Sequence, residues 1–451
     1  MRRVMCHEFD PGWNRKATLG GFNTFLSDKK LMTKNSNGLK TILFVHGNND
    51  LYGAEVVLLE LLKGLDRNRF CPIVVLPTDT KHIHRLSACL DQEGIEYHFV
   101  RMGILRRKYF HPVGLVRFSI GFVFGIMSLV ALIRQRRVAL VHSNTIAVVC
   151  GAIAASITRT PHVWHLHEII VDPVIVRRAM HFLACHLSQA VVTISGAVRS
   201  HVLKDCASHS DKIHVIHDGI DLERFATSGH GQELRRDSGI PSEALLVGMI
   251  GRVCRWKGQL LFLQAAKLVL GQRPGTYFLA VGGVFDDETF YMDQFREAVE
   301  NSGLRQNFVI SDFRVDIPEV LSALDIFVLP STQPEPFGIV ILEAMAAGKP
   351  VVAAAHGGPT EIVVNNQTGY LVPPRDPQAL ASAILKLAER PSLMAAMGAA
   401  GRHRAWEHFH VDRYVGDFEY LYTELLSGGA GFPGATNKPS RSDRVQTVLR
   451  D

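Results

Sequence analysis

Residues 325–350 read DIFVLPSTQPEPFGIVILEAMAAGKP. The stretch begins with a short apolar run that predicts a buried β-strand, and the apolar residues after Gly338 predict a helix. A loop containing Pro334 and Pro336 joins the two. In an open parallel sheet, ligands bind beyond the carboxyl ends of the strands, where such loops lead into helices. The stretch therefore predicts a parallel α/β unit and the sheet edge at which a site should lie.

The same alternation of β-branched runs and amphipathic stretches continues from Lys40 onward, which predicts parallel strands joined by crossover helices. One series of strands is expected at residues 41–45, 73–76, 97–100, 139–142, 162–165 and 190–194. A second series is expected at residues 245–250, 277–281, 308–310, 326–329, 351–353 and 369–372. We therefore predict an α/β protein with two doubly wound, Rossmann-like units.

The polar, glycine-rich segment 217–243 has the composition of an interdomain hinge with a short helix. We place the first domain at residues 39–220 and the second at 221–405. Residues 406–426, WEHFHVDRYVGDFEYLYTELL, are expected to form one amphipathic helix, because apolar residues recur every three or four positions. Residues 1–38 are expected to be a polar extension, and residues 427–451 a flexible tail rich in Gly, Ser and Pro.

The composition of the 451 residues is ordinary for a globular protein, with 47% hydrophobic and 20% charged residues. A net charge of +6 from 49 basic and 43 acidic residues is modest, so nucleic-acid binding is not expected. Seven scattered cysteines without a CxxC pair favour reduced thiols over disulfides or zinc. The N-terminal stretch lacks the apolar core of a secretory signal. We therefore expect a cytoplasmic protein.

Residues 118–133, FSIGFVFGIMSLVALI, carry no charge, but they are shorter than the roughly 20 residues of a membrane-spanning helix. One interpretation is a buried or half-buried helix of the fold. Another is an interfacial helix on the inner face of a membrane, since basic clusters flank it at Arg106, Arg107 and Lys108, and at Arg134, Arg136 and Arg137. The sequence leaves both interpretations open.

A second strand-to-helix turn follows the strand at 245–250 and reads GRVCRWKG, residues 251–258. Its Arg252 offers a planar fork of donors and its Lys257 a compact positive charge, which together can hold a diphosphate and neutralise it as a leaving group. Such a site needs no metal, and the sequence contains no Asp-x-Asp pair of the kind that holds one on a nucleotide diphosphate. The alternative is a pair of solvated surface charges.

Two glutamates lie eight residues apart in the stretch 325–350. Glu335 precedes a helix whose first backbone N–H groups, from Phe337 to Val340, can point at a phosphate or sugar oxygen. Glu343 lies within that otherwise apolar helix, so its carboxylate must find donors, which ribose hydroxyls would supply. Taken alone the spacing means little, but it falls downstream of Arg252 and Lys257 in the same predicted domain.

Together, GRVCRWKG (251–258), EPFGIVILE (335–343) and HGGPTEIV (356–363) resemble the retaining GT-B enzymes of glycosyltransferase family 4. The resemblance extends over residues 41–426. It implies two Rossmann-like domains facing each other across a cleft, with the C-terminal helix crossing back to the first domain. It also implies that the second domain binds a UDP- or GDP-linked hexose and that the first presents the acceptor.

Carried over by position, the resemblance implies that Arg252 and Lys257 bind the diphosphate and assist catalysis. Glu335 would face the sugar hydroxyls at the reaction centre, and Glu343 would bind the ribose. The backbone at the start of the helix would supply amides, from Phe337, Gly338 and Ile339. The residues placed for binding the base are Asp312, Phe313 and Arg314.

In the first domain, the turn HGNNDLYGAE (46–55) is similar to the Gly-Gly-Ala-Glu loop of the family, which lies beside the donor phosphates. Gly53 matches that loop, while Tyr52 replaces its first glycine, and an ordinary glycine-containing turn is the alternative. The strand ending WHLHE (164–168) carries a histidine that the family places near the sugar, which we assign to His167, with His165 in the core or behind it. Residues 143–145 either line the acceptor cleft or cap a helix.

The resemblance implies transfer with retention at the anomeric carbon and without a protein nucleophile. The diphosphate would leave first, and one of its oxygens would take the proton of the acceptor hydroxyl on the same face. A glycan or lipid-linked acceptor, in polysaccharide or glycolipid biosynthesis, fits the apolar segment with its basic flanks. No cofactor is expected beyond the nucleotide sugar. The alternatives are a sugar-nucleotide epimerase or hydrolase of the same fold, and an inactive membrane-associated scaffold.

Overall fold

The structure is a computed structural model, and it describes residues 38–80, 85–104, 111–226, 229–284 and 288–428. The predicted N-terminal extension and C-terminal tail therefore lie outside the described residues, apart from the few that adjoin the folded chain. So do Arg106, Arg107 and Lys108 of the first basic cluster.

The first half of the chain forms a seven-stranded parallel sheet in the order β3-β2-β1-β4-β5-β6-β7. Its strands are β1 (Lys40–His46), β2 (Phe70–Pro77), β3 (Glu96–Val100), β4 (Leu140–Asn144), β5 (His162–Leu166), β6 (Ala190–Thr193) and β7 (Ile213–Val215). The connecting helices are α1 (Gly53–Gly64), α2 (Arg85–Gln92), α3 (Pro112–Gln135), α4 (Val149–Thr158), α5 (Val174–Leu187) and α6 (Gly196–Cys206). Strand β7 was not predicted, because three residues are too few to show a period.

The second half forms a six-stranded parallel sheet in the order β10-β9-β8-β11-β12-β13. Its strands are β8 (Leu246–Ile250), β9 (Tyr277–Val281), β10 (Phe308–Ser311), β11 (Ile326–Leu329), β12 (Val351–Ala354) and β13 (Gly369–Val372). Its helices are α7 (Glu223–Ala226), α8 (Gly231–Asp237), α9 (Gln259–Gln272), α10 (Phe290–Asn301), α11 (Ile317–Ala323), α12 (Ile339–Ala346), α13 (Pro359–Ile362), α14 (Pro377–Ala388) and α15 (Pro391–Phe409). The prediction of two doubly wound sheets is confirmed.

The continuous apolar runs of the sequence are explained by helices on both faces of each sheet. Strands β8, β11 and β12 are buried along their whole length, as central strands of parallel sheets are. Because strands β8 and β11 are neighbours, the loops that follow them are brought side by side at one sheet edge. This places the two motifs of the second domain next to each other.

The single helix predicted at residues 406–426 is wrong in one respect, since the chain breaks at His410. Its ψ of 145° is extended, and its side chain accepts a hydrogen bond from the Asp412 amide at the start of α16 (Val411–Leu426). Helix α16 returns to the first sheet and packs on α1. The hydroxyl group of Tyr422 lies 2.7 Å from Nδ1 of His142 on β4, so the apolar stripe of this helix covers the first domain.

Helix α3 is longer than the uncharged segment from which it was predicted. It runs for 24 residues because His111 caps its first turn, Pro112 opens it, and Arg117 and Arg134, on either side of the uncharged segment, are helical as well. It is the one helix of the described residues that is long and apolar enough to cross a membrane. One side of it nevertheless packs on the sheet, through Leu129 and Ile133. The interpretation of a half-buried helix fits this arrangement.

Candidate active site at the carboxyl ends of the two sheets

The carboxyl ends of the two sheets face each other. The ring of Tyr52, after β1, lies 6.2 Å from the ring of Phe313, after β10. The hydroxyl group of Ser195, after β6, donates to the carbonyl of Pro336, after β11, at 2.6 Å. Loops from both domains therefore meet where parallel sheets bind their ligands.

At the centre of this region, Lys257 and Glu335 form an ion pair. The Lys257 ammonium lies 2.8 Å from each carboxylate oxygen of Glu335, and the Ser331 hydroxyl donates to the same carboxylate at 2.8 Å. Both side chains are largely buried, where a lone charge would be costly. From the sequence, Lys257 is expected to bind the diphosphate and Glu335 the sugar, and the structure brings the two side chains together.

Two glycines set the backbone that carries this pair. Gly258 has φ +88°, and a Cβ there would lie 2.0 Å from the Pro330 carbonyl oxygen, so the turn after β8 rests directly on the end of β11. Gly338 has φ +100°, which opens α12 immediately after the Glu335 loop. Residues other than glycine rarely adopt either backbone conformation.

The first turn of α12 presents backbone donors to the same region. Among the described residues, the amides of Phe337, Gly338, Ile339 and Val340 have no hydrogen-bond acceptor. The Ile339 side chain lies 3.6 Å from where a Cβ on Gly53 would be, so the turn before α1 abuts these amides. Gly53, Gly338 and Ile339 are thus brought together as an anion-binding helix terminus would require.

The side chain of Phe337 points elsewhere. It is buried; its ring stacks on that of His217 at 5.8 Å and meets the ring of Phe409 edge to face at 5.9 Å. Only the backbone of Phe337 is therefore available to a ligand at the start of α12.

Glu343 lies farther along α12, among apolar neighbours. Burial raises the pKa of its carboxyl group to about 7, an effect that the nearby Arg224 only partly offsets. The carboxyl group makes no hydrogen bond within the described part of the chain. A half-buried carboxyl group without a protein donor is suited to bind hydroxyl donors.

Arg252 leaves the end of β8 beside Lys257. Its guanidinium lies 4.0 Å from the carboxylate of Glu288. Its backbone carbonyl accepts a hydrogen bond of 3.0 Å from Nε2 of the Gln259 side chain. The Arg252 side chain is partly exposed.

Of the three residues assigned to the base, Phe313 lies in the interdomain region. Its ring contacts Tyr52 edge to face, and the Arg85 guanidinium lies 4.0 Å from its centre. Its neighbours point to the surface instead. Asp312 pairs with Arg296, and Arg314 pairs with Asp316, two residues further along the chain. The structure therefore keeps Phe313 as a candidate and gives the other two side chains partners of their own.

A chain of hydrogen bonds links the polar residues at the ends of β1, β4 and β5. His167 Nε2 donates to Asn144 Oδ1 at 3.0 Å, and Asn144 Nδ2 donates to His46 Nδ1 at 3.0 Å. His46 Nε2 donates to Glu55 at 2.8 Å. Because Nε2 of His167 carries the donated proton, the neutral ring has Nδ1 as its hydrogen-bond acceptor. Burial lowers the pKa of His167 to about 3.

His165 takes the core position that sequence analysis allowed for it. It is fully buried, and its Nδ1 lies 3.3 Å from Nε2 of His167. The expectation that Ser143 or Asn144 caps a helix is wrong, because α4 begins only at Val149 and has no side-chain cap. Asn144 instead holds His167.

One group of three side chains within the described residues could hold a metal ion, formed by His165, His167 and Asp218, with ligand atoms within 4.8 Å of one another. Nε2 of His165 and Oδ1 of Asp218 have no protein partner there. Burial raises the pKa of Asp218 well above its usual value, so this carboxyl group favours its neutral form, which is a poor metal ligand. The absence of a catalytic metal stays a prediction.

Two family models match the chain. The model described as Glycosyltransferase Family 4 matches residues 52–224, and Glycosyl transferases group 1 matches residues 231–404. The chain is a glycosyltransferase. It is 24% identical over 386 residues to UDP-Gal:alpha-D-GlcNAc-diphosphoundecaprenol alpha-1,3-galactosyltransferase of Escherichia coli, over 83% of this chain and 97% of that protein. It is 31% identical to D-inositol 3-phosphate glycosyltransferase of Streptomyces scabiei, a match that spans 48% of this chain and 49% of that protein.

Solved structures agree with this assignment. HepE of Anabaena, crystallised with UDP and glucose, is 28% identical and has a TM-score of 0.74, over 85% of this chain and 99% of that one. Sucrose-phosphate synthase of Thermosynechococcus elongatus, at 20% identity and a TM-score of 0.69, shares the fold over 86% of this chain. The architecture is GT-B, and the chain is a glycosyltransferase.

In this glycosyltransferase, Glu361 links the two domains, a role that sequence analysis missed. Its carboxylate accepts hydrogen bonds of 2.9 Å from the amides of Gly196 and Ala197, at the start of α6, and from Nε2 of His217. Burial alone would raise the pKa of Glu361, but these hydrogen bonds lower it below its usual value. Glu361 stands in the HGGPTEIV motif, yet its partners lie more than a hundred residues away.

Proposed function

We propose that this enzyme transfers a hexose-type sugar from a UDP- or GDP-sugar to an acceptor hydroxyl, with retention and without a metal ion. The observation that carries the proposal is the Lys257–Glu335 ion pair beside the unbonded amides at the start of α12, with Arg252 on the same loop as Lys257. Two cations and a helix N-terminus suit a diphosphate. The UDP and glucose bound by HepE support a uridine donor.

In the proposed reaction, the bond from the anomeric carbon to the β-phosphate oxygen breaks and a bond to the acceptor oxygen forms on the same face. The acceptor proton passes to the departing phosphate oxygen. Lys257, Arg252 and the α12 amides stabilise the charge that develops on the diphosphate. Glu335 accepts hydrogen bonds from the sugar hydroxyls, so Lys257 must then divide its charge between this carboxylate and the phosphate.

The remaining residues position the donor. The neutral ring of His167, held by Asn144, offers Nδ1 to a sugar hydroxyl. Glu343 binds the ribose and Phe313 lies against the base, while Gly53 leaves room for the phosphates. No further cofactor has a role in this scheme.

We propose a glycan or lipid-linked acceptor, in polysaccharide or glycolipid biosynthesis, and a cytoplasmic enzyme in peripheral contact with the inner membrane. The name of the Escherichia coli relative describes a lipid-diphosphate acceptor for that protein, which supports this choice. The apolar helix α3, much of it unburied, supports the membrane contact.

The first test is thermal unfolding of the full chain with UDP, GDP, ADP or CMP in the presence of a chelator. We expect one nucleoside diphosphate to raise the midpoint, because a ligand of the native state stabilises it. Lys257→Ala should abolish the rise, while the exposed Lys267→Ala should keep it. No rise with any nucleotide would contradict the proposal.

The second test separates the alternatives by their products. With the matching nucleotide sugar, a transferase needs an acceptor to consume donor, and nuclear magnetic resonance of the product reports the anomeric configuration. Release of free sugar without acceptor would indicate a hydrolase, and a changed donor sugar an epimerase. Donor binding without any turnover would favour an inactive scaffold.

A further inference from the structure

One part of the first domain has an extreme charge distribution. Residues 97–204 contain 13 lysines and arginines but only two carboxylates, Glu168 and Asp172. Helices α3, α4 and α5, which all belong to this segment, contain no Asp or Glu. Since the whole chain is nearly balanced, its excess of positive charge is concentrated here.

The three helices lie side by side. Helix α3 packs closely on α4, and α4 contacts α5. A surface pocket between the ends of α4 and α5 is lined by Arg159, His186 and Lys212. The outer surface of the three helices is therefore one continuous face, which we call the α3–α5 face.

This face is apolar as well as basic. The outer side of α3 exposes large apolar residues at helical spacing, with Met127 63% exposed; they are Val113, Leu115, Val116, Ile120, Val123, Phe124 and Met127. Ile157 is exposed on α4. On α5, Val174, Ile175 and Phe182 are exposed. Ile175 and Phe182 line a surface pocket with Arg178, Lys204 and Asp205, and the Asp205 carboxylate pairs with Arg177 and Arg178.

The inner side of α3 fixes how the helix can meet a membrane. Leu129 and Ile133 are buried against the sheet, and a Cβ on Gly125 would lie 3.2 Å from the Met102 backbone. To cross a bilayer, α3 would have to leave these contacts. With its inner side packed and its outer side apolar, it is suited to lie in the plane of the interface.

We propose that the α3–α5 face docks on an anionic phospholipid bilayer, with the apolar residues of α3 and α5 inserted among the acyl chains. The positive charges at the edges of this face, including Arg117, Arg134 and Arg159, meet the lipid phosphates. Helices α3, α4 and α5 carry no carboxylate, and the neighbouring Asp205 is paired with Arg177 and Arg178, so little repulsion opposes this contact. The inference deepens the membrane contact of the proposed function by naming the lipid class and adding α5.

The orientation follows from the topology. Helices α3 and α5 both begin after the carboxyl ends of strands, the edge at which the sheets face each other. Docking through both helices therefore brings the mouth of the interdomain site close to the bilayer surface. An acceptor anchored in the lipid could reach the site without leaving the membrane.

The test is flotation of the full chain with vesicles of phosphatidylcholine alone or mixed with phosphatidylglycerol. We expect binding to the mixed vesicles that weakens at high salt, because screening reduces attraction to the charged surface. The double variant Phe124→Glu, Met127→Glu and the single variant Ile175→Glu should each lower the bound fraction by about tenfold or more, since a buried charge costs more than 1.4 kcal/mol. Phe290→Glu, which alters a residue 56% exposed in the second domain, should bind as the wild type does.

The inference would be overturned if the wild-type protein bound to neither kind of vesicle. An Ile175→Glu variant that binds normally would overturn the assignment of α5. Each variant should keep its thermal shift with the nucleoside diphosphate that stabilises the wild type, which shows that it is folded. This shift also separates the two proposals, because a failed flotation with an intact shift refutes only the docking face.

Discussion

The ammonium group of Lys257 lies 2.8 Å from both carboxylate oxygens of Glu335. The two residues come from different strand ends, and each is the main polar partner of the other in a largely buried place. A diphosphate that binds Lys257 must therefore compete with Glu335 or share its cation. Because the two side chains share one ion pair, substituting Lys257 and substituting Glu335 should have different effects on nucleotide binding.

Replacing Lys257 with alanine should reduce stability as well as nucleotide binding. Glu335 would keep the Ser331 hydroxyl but lose its cation, and removing one partner of a buried pair costs about 3 kcal/mol or more. Urea unfolding without ligand measures this loss. Lys267→Ala is the matched control, and an unchanged midpoint in Lys257→Ala would show that the pair contributes little.

Replacing Glu335 with glutamine should separate binding from transfer. The amide keeps the size of the side chain and frees the Lys257 charge, so nucleoside diphosphate should bind at least as well as before. Transfer should fall by about 100-fold, the usual scale for losing one stabilising contact to the transition state. Steady-state rates with Glu297→Gln as control provide the check; turnover equal to wild type would remove Glu335 from the catalytic set.

The neutral state of His167 predicts a pH profile. Because its pKa is lowered to about 3 by burial, the imidazole stays neutral from pH 5 to 8, and the transfer rate should show no break from this residue near pH 6.5. His167→Ala should slow transfer by about tenfold, the equivalent of one hydrogen bond. His403→Ala, at an exposed position, should have no effect. If the wild type shows a break near pH 6.5 that His167→Ala removes, the neutral state assigned to His167 is wrong.

Glu343 predicts proton release when nucleotide binds. Its carboxyl group has a native pKa of about 7, and ribose hydroxyls that donate to the carboxylate would lower that value. Calorimetric titration near pH 7, in buffers of different ionisation enthalpy, should detect the released proton. The proton release should vanish in Glu343→Gln. Identical binding heats in all buffers for the wild type would argue against the ribose contact.

The same group affects stability with a definite sign. The native state holds the proton of Glu343 up to about pH 7, whereas the unfolded chain releases it near pH 4.5. The contribution of this group to stability therefore falls as the pH rises between these values and is constant above them. The difference in unfolding free energy between wild type and Glu343→Gln should follow that course.

Removing the carboxylate of Glu361 should loosen the contact between the two domains. In Glu361→Ala, the amides of Gly196 and Ala197 lose their acceptor and should exchange hydrogen faster. Mass-spectrometric exchange measures this at the start of α6. Glu389→Ala, an exposed change in the second domain, serves as control. Protection equal to wild type would mean that the Ser195–Pro336 hydrogen bond is sufficient.

Much of the fold is determined by local patterns. The strands at 277–281, 326–329 and 369–372 were predicted with the bounds that the structure has, because a continuous apolar run between turn residues is a strong signal. The three-residue β7 and the break at His410 escaped prediction. A short strand shows no period, and His410 interrupts a pattern that continues on both sides of it.

Residues of one motif could likewise be placed from the sequence. Gly338, Ile339 and Glu343 stand at fixed distances along one loop and helix, so helix geometry alone puts the amides first and the carboxyl group inward. By contrast, Lys257 and Glu335 are 78 residues apart, and Glu361 and Gly196 are 165 apart. Only the packing of neighbouring strands and facing domains decides such pairs, because a hydrogen bond depends on the final positions of its atoms and not on their separation along the chain.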